Sequence, residues 1–107
     1  LHSNQAQLNY CDLAHEKIAE LAYWRAIASK KPFLKGEDVI AKDAKYSFLY
    51  AREVLKRRFP KAEEVIAKDA HYSYMYARDV LKGPFKLGEP VILNCKYREQ
   101  YLKLIGK

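Results

Sequence analysis

Cysteine, glycine and long apolar segments are scarce in this chain of 107 residues. Its two cysteines, Cys11 and Cys95, lie near opposite ends, and two isolated thiols cannot form the disulfide framework of a small secreted domain. No apolar run approaches the roughly 20 residues that a membrane-spanning helix requires. The first residues also lack the charged and then apolar pattern of a signal peptide. We therefore expect a reduced, cytoplasmic protein that is not associated with a membrane.

Catalytic and metal-binding signatures are missing as well. The four glycines do not form a phosphate-binding loop. Cys11 and His15 are one helical turn apart, but a metal site needs further ligands and a nucleophile–base pair needs a third, orienting residue. The carboxylate pair Glu63-Glu64 is explained by its place at the start of a helix, where negative charge is favourable. The sequence predicts a protein that is not an enzyme and has no cofactor or bound metal.

Positive charge is abundant, and it is unevenly distributed. The formal net charge is +7, with a sequence pI near 9.4. Residues 1–29 carry two basic and three acidic side chains, a balance of −1, so the remainder carries +8. Such an excess favours a nucleic acid, an acidic protein surface or an anionic membrane as partner. The alternative is that the charge serves solubility alone.

The chain contains one passage twice. VIAKDAKYSFLYAREVLK begins at Val39 and VIAKDAHYSYMYARDVLK begins at Val65. Superposing residues 37–59 on residues 63–85, an offset of 26, gives sixteen identities in twenty-three positions. A fixed period of roughly 20–50 residues is typical of stacked helical units. We therefore predict an all-α fold, a short right-handed stack of helical hairpins.

Each clear copy is predicted to form a short helix and then a longer one. The predicted spans are 37–42 and 44–57 in the first copy, and 63–68 and 70–82 in the second. Asp43 and Asp69 are predicted to cap the longer helices, because a carboxylate there accepts hydrogen bonds from free backbone amides. Phe59-Pro60 and Gly83-Pro84-Phe85 are expected to end them, with Gly83 tolerating a left-handed backbone and the phenylalanine filling the corner.

Tyrosine supplies the predicted core of the longer helices. Four tyrosines fall on one stripe at helical spacing and are expected to pack between units; they are Tyr46, Tyr50, Tyr72 and Tyr76. Phe48, Tyr74 and Tyr97 form a second apolar edge. These three side chains either join the core or line an exposed face.

Degenerate copies flank the two clear ones. KKPFLKGEDVI at 30–40 matches KGPFKLGEPVI at 82–92, twice the period away, which aligns Trp24 with Tyr50 and Tyr76. Downstream, a one-residue deletion aligns Tyr101 with Tyr76. An N-terminal cap helix is expected from about Asn4 to Ser29, with one stripe formed by Leu8, Cys11, His15, Ile18 and Ala22. The single domain is divided into a cap helix with a degenerate repeat at 1–35, repeats at 36–61 and 62–87, and a degenerate repeat at 88–107.

The repeated unit E-x-V-I-A-K-D-A-x-Y-S-x-x-Y-A-R-x-V-L-K-x-x-F resembles a tandem helical repeat of large bacteriophages and some bacteria. The match covers about 37–92, and Lys56-Arg57-Arg58-Phe59-Pro60 corresponds to the "KGRFP"-like joint of that family. Ala44 and Ala70 stand where the family commonly has a helix-opening proline, and the array here is short. The resemblance implies a helical solenoid and a phage origin, and it implies no catalytic residue.

Basic side chains are the strongest functional candidates. Lys42/Lys68, Arg52/Arg78 and Lys56/Lys82 are identical in the two copies, so stacking is expected to align them in rows. The whole candidate surface for a partner comprises Lys30, Lys31, Lys42, Arg52, Lys56, Arg57, Arg58, Lys61, Lys68, Arg78, Lys82 and Tyr74. The alternative is structural: cations near helix C-termini stabilise the helix dipole, and Arg57 is spaced to pair with Glu53.

Two functions remain open at this stage. Tyrosine and arginine are enriched in protein interface hot spots, which favours a docking module. Its preferred form is a small phage-type accessory protein on a host or viral assembly, for instance an inhibitor of a host defence system. The second is a single-stranded RNA or DNA binder, with cations tracking phosphates and tyrosines stacking on bases. The oligomeric state is open, and a short array with truncated ends can pair end to end.

Overall fold

The computed structural model describes residues 17–106, and every regular element in that range is helical. The prediction of an all-α protein is thereby confirmed. The α-helices are α1 (described over 17–29), α2 (Leu34–Ile40), α3 (Ala44–Tyr50), α4 (Glu63–Ile66), α5 (Ala70–Tyr76), α6 (Glu89–Leu93) and α7 (Arg98–Leu104). None of these helices is both long and apolar enough to cross a membrane.

Short segments of other helix types join onto these elements. Ala51–Leu55 extends α3 and Ala77–Leu81 extends α5, each as one π-helical turn. The 3-10 turns Pro60–Ala62 and Lys86–Gly88 lead into α4 and α6. Along the chain, a short helix therefore alternates with a longer composite one, and α3 packs against α2, α4 and α5.

The longer helices begin at the predicted caps. The Asp43 carboxylate accepts a hydrogen bond from the Tyr46 amide at 3.0 Å, and the Asp69 carboxylate accepts one from the Tyr72 amide at 2.9 Å. Cys95 lies 26 residues beyond Asp69, and its Sγ accepts a bond from the Tyr97 amide at 3.3 Å. Both aspartate caps are confirmed.

The longer helices end earlier than predicted, and the residue with the left-handed backbone is not the predicted one. Their last helical residues are Leu55 and Leu81, and the left-handed residue that follows is a lysine and not Gly83. The wide π-helical turn explains the shift, because the amides of both Lys82 and Gly83 bond to the Ala77 carbonyl. The prediction that Gly83 takes the left-handed position is wrong.

A buried tyrosine hydroxyl recurs three times between a phenylalanine amide and a glutamate, an arrangement we name the tyrosine clamp. In each copy the hydroxyl accepts a hydrogen bond from the amide and donates one to the carboxylate. The three clamps are Phe33–Tyr50–Glu37, Phe59–Tyr76–Glu63 and Phe85–Tyr101–Glu89. Each hydroxyl lies 2.7 Å from its carboxylate. The clamp ties the start of each short helix to the middle of the following longer one.

The clamp environment perturbs the tyrosines. Burial, assisted by the hydrogen bond to Glu37, raises the pKa of Tyr50 to about 12. Burial and the bond to Glu89 likewise raise the pKa of Tyr101 to about 12. These phenols stay protonated and remain donors at physiological pH. The ring of Tyr50 also packs on Phe59 at 5.2 Å between centroids, so the phenylalanine fills the corner as predicted.

The described part of α1 follows the predicted stripe only in part, because Ala22 is partly buried against the core but Ile18 is not. Ala19, Tyr23 and Ala26 are buried, whereas Ile18 is 47% exposed. The buried positions therefore follow the predicted ones by one residue, which is about 100° around the helix. Trp24 is 54% exposed, unlike Tyr50 and Tyr76 with which it aligns. Residues 1–16 of the predicted cap helix lie outside the described range.

Candidate functional site

Three lysines share an uncommon backbone conformation. Lys30, Lys56 and Lys82 have φ values of 58°, 56° and 55°, and no other non-glycine residue between 17 and 106 has a positive φ. They are spaced by 26 residues, and each follows the last turn of a longer helix. A side chain with a Cβ is disfavoured in this left-handed region, where helices commonly place glycine. The chain therefore keeps a lysine where glycine would be less strained.

Helix electrostatics accounts for the charge of these lysines but not for their conformation. A cation beside the C-terminus of a helix is favourable because the dipole is negative there. A cation one residue earlier would gain the same interaction without the left-handed backbone. Strained residues that persist in a fold are candidates for function, and π-helical turns are frequent at functional sites. The two features coincide at Lys56 and Lys82.

The lysines border two surface depressions, which we name the lysine grooves. The first has a volume of about 400 Å³ and is lined by Ile27, Lys30, Glu53, Val54 and Lys56. The second has a volume of about 360 Å³ and is lined by Ala51, Arg52, Lys56, Asp79, Val80 and Lys82. Lys56 belongs to both grooves. A shift of 26 residues relates the first set largely to the second, so the repeat produces two adjacent copies of one surface.

The carboxylates in the grooves are already neutralised by arginines. Arg52 Nε lies 2.7 Å from Glu53 Oε1, and Arg52 Nη1 lies 3.6 Å from Asp79 Oδ2. Arg78 donates two hydrogen bonds to Asp79, at 2.8 and 3.1 Å. The bonds from Arg78 keep the pKa of Asp79 lowered, although burial opposes this. Lys30, Lys56 and Lys82 form no ion pair with another described residue and supply the uncompensated charge.

Two other predicted surface cations, Arg58 and Lys61, form ion pairs with acidic side chains of the same chain. Arg58 binds Glu63 through two hydrogen bonds, at 2.8 and 3.0 Å. Although burial raises the pKa of Glu63, the bonds from Arg58 and Tyr76 leave it lowered overall. Lys61 Nζ lies 3.4 Å from Asp38 Oδ1, bridging successive short helices. Arg58 and Lys61 are therefore each paired with an acidic side chain of the same chain.

The remaining cations are exposed, but they are not all in one place. Arg57 extends the row beside Lys56, and its predicted pair with Glu53 does not form, because Glu53 binds Arg52 instead. Lys31 follows Lys30 directly. Lys42 and Lys68 lie in the turns that precede the longer helices. Since a helix of about 12 residues is about 18 Å long, those two lysines are far from the grooves.

Tyr74 does not line an exposed surface. It is only 8% exposed, because its ring stacks on Tyr97 at 4.9 Å between centroids and Arg78 covers it at 5.6 Å. Phe48 is buried too and is covered by Arg52 at 5.0 Å. The suggestion that these two side chains form an exposed aromatic face is wrong. Sequence pattern could not show this, because Tyr97 reaches Tyr74 from the turn that precedes α7.

Two surface features were missed at the sequence level. For the left-handed lysines, the available signal was that lysine, and not glycine or asparagine, directly follows the last turn of each longer helix. The exposed apolar stripe of α1, formed by Ile18, Leu21 and Trp24, had a signal in its i, i+3, i+6 spacing. Between residues 17 and 106, no group of three or more His, Cys, Asp or Glu side chains is placed to hold a metal ion. Cys11 and His15 lie outside that range.

Comparison with protein-family models, with curated proteins and with solved structures finds no match to this chain. The function proposed below therefore depends on the geometry of the lysine grooves and on the repeat itself.

Proposed function

We propose that the protein is a non-enzymatic binding module that docks on another protein through the lysine grooves. Its architecture is proposed to be a short right-handed stack of helical hairpins with an N-terminal cap helix. The three tyrosine clamps support the stack, because the same three-residue contact closes each hairpin in turn. Neighbouring hairpins then present equivalent side chains side by side, which is how solenoid proteins build extended binding surfaces.

The observation that carries this proposal is the mixed chemistry of the grooves. Each is lined by a partly buried valine, Val54 or Val80, and by lysines that form no ion pair with a described residue. Protein interfaces combine an apolar centre with a polar rim in this way. A phosphate backbone gains little from apolar side chains such as Val54 and Val80, whereas a protein partner can bury its own apolar side chains against them. The mixed surface therefore favours a protein partner with acidic side chains.

Nucleic-acid binding is the second candidate, and the unpaired cations are the observation that favours it. Seven candidate cations form no ion pair with a described residue; they are Lys30, Lys31, Lys42, Lys56, Arg57, Lys68 and Lys82. Phosphate contacts by such side chains give binding that weakens steeply with salt. Base stacking is not supported, since Tyr74 and Phe48 are covered by arginines.

The biological setting of the proposal comes from the resemblance of the repeat to those of large bacteriophages. We propose an accessory protein that acts in the cytoplasm of a bacterial host on a host or viral protein assembly, for instance as an inhibitor of a host defence system. End-to-end pairing of two short arrays stays a prediction, to be checked by light scattering of the purified chain.

The test is an affinity capture with matched variants. The tagged chain is incubated with nuclease-treated bacterial lysate, beside a groove variant (Lys30→Gln, Lys56→Gln, Lys82→Gln) and a control (Lys31→Gln, Lys42→Gln, Lys68→Gln). Both variants lose the same three charges. The proposal expects one discrete complex with wild type and control, and its loss from the groove variant. Equal retention by both variants, or a complex that is recovered only from a parallel lysate without nuclease treatment, would overturn it.

A further inference from the structure

We propose that the lysine grooves receive an acidic α-helix of the partner, whose carboxylates recur about every seven residues along one face. This inference rests on the proposed docking function and names the chemistry of the docked segment.

The spacing of the lysines matches that of a helical face. Lys30, Lys56 and Lys82 occupy equivalent positions at the ends of successive longer helices. Packed helices lie about 8–10 Å apart, so we expect the backbones at neighbouring lysines to be separated by about that distance. A ligand helix rises about 1.5 Å per residue, and two turns, about seven residues, return to the same face after about 10.5 Å. Acidic residues at i, i+7 and i+14 therefore meet the three lysines in register.

The valines that line the grooves are suited to apolar residues that lie between the carboxylates of the ligand helix. Val54 lines the first groove together with Lys30 and Lys56, Val80 lines the second together with Lys56 and Lys82, and both valines are partly buried. A helix that presents acids at i and i+7 places its i+3 or i+4 side chain on the same face between them. An apolar residue there contacts the valine.

The backbone strain argues that the lysines are kept for their side chains. All three copies have lysine at the left-handed position, while the next position varies freely from Lys31 to Arg57 to Gly83. Glycine thus occurs one residue away from the position where it would relieve strain. A helix end that serves only the fold does not need a side chain at the left-handed position. A surface that presents an ammonium group in each repeat needs a lysine there.

The experiment uses the full chain and three fluorescent probes in anisotropy titrations at low and moderate salt. The first probe is a helical peptide with Glu at i, i+7 and i+14 and Leu at the intervening i+4 positions. The second has the same composition with its glutamates distributed around the helix. The third is a single-stranded oligo-dT of similar charge. The groove and control variants defined above are titrated in parallel.

The in-register peptide is expected to bind, and the scrambled peptide is expected to bind about tenfold more weakly. The groove variant is expected to lose about tenfold in affinity for the in-register peptide, because it lacks three exposed ion pairs. The control variant is expected to stay within about threefold of wild type. Equal binding of both peptides, or preferred oligo-dT binding that the groove variant abolishes, would overturn the inference. If neither peptide binds while the capture experiment succeeds, this inference fails and the docking function stands. If both experiments fail, both are wrong.

Discussion

Replacing Tyr76 by phenylalanine removes one buried oxygen and leaves the aromatic ring in place. The Tyr76 hydroxyl accepts a bond from the Phe59 amide at 2.8 Å and donates one to Glu63 at 2.7 Å. Without it, the buried Phe59 amide has lost its acceptor, which costs roughly 1–3 kcal/mol. Glu63 loses a charge-assisted bond worth roughly 1.5–3 kcal/mol but keeps both bonds from Arg58. We expect Tyr76→Phe to lower the free energy of unfolding by about 3 kcal/mol.

That loss is large against the roughly 5–15 kcal/mol that stabilises a typical domain. For a chain of about 100 residues it corresponds to a fall in Tm of roughly 12–24 °C. Urea and thermal unfolding followed by circular dichroism give both quantities. Tyr72→Phe is the matched control, because Tyr72 is partly buried and its hydroxyl forms no described hydrogen bond. An unfolding free energy for Tyr76→Phe within about 0.5 kcal/mol of the control would refute the clamp as a stabilising contact.

The same structure makes three further predictions. Lys56→Gly relieves a left-handed backbone and should raise the unfolding free energy by about 0.5–1 kcal/mol in urea titrations; an equal or lower value would show that the conformation carries no strain. Asp69→Ala removes a confirmed cap and should cost about 1 kcal/mol, whereas a neutral effect would mean that the cap is replaced by water. The lowered pKa of Glu63 contributes stability that is present above its unfolded value near 4.5 and is lost as pH falls through the folded pKa. Glu63→Gln should therefore make the unfolding free energy fall less steeply on the acid side. An unchanged dependence of the unfolding free energy on pH would contradict this.

The helical class and the caps were accessible from sequence because their causes are local. A stripe of tyrosines at helical spacing and an aspartate before each longer helix depend only on neighbours in the chain. Asp43 and Asp69 accept the predicted amides for that reason. The repeat also indicated which side chains are equivalent, so the alignment of Tyr101 with Tyr76 agrees with the third clamp.

The features that escaped prediction depend on contacts between distant segments or on small changes in helix geometry. The clamp joins Glu63 to Tyr76 across 13 residues, and the sequence explained Glu63 by the helix dipole alone. The ring of Tyr74 is covered by that of Tyr97, which lies in the turn before α7. The left-handed Lys82 results from one π-helical turn, which widens the helix without any change in residue pattern. Periodicity cannot report such a widening.

The central claim is that Lys30, Lys56 and Lys82 stay in a strained conformation because a partner binds them. The most direct test measures stability and binding together in one triple variant, Lys30→Gly, Lys56→Gly, Lys82→Gly. The account predicts a higher unfolding free energy than wild type and loss of the captured partner complex. A variant that is more stable and retains the complex at wild-type level would contradict it.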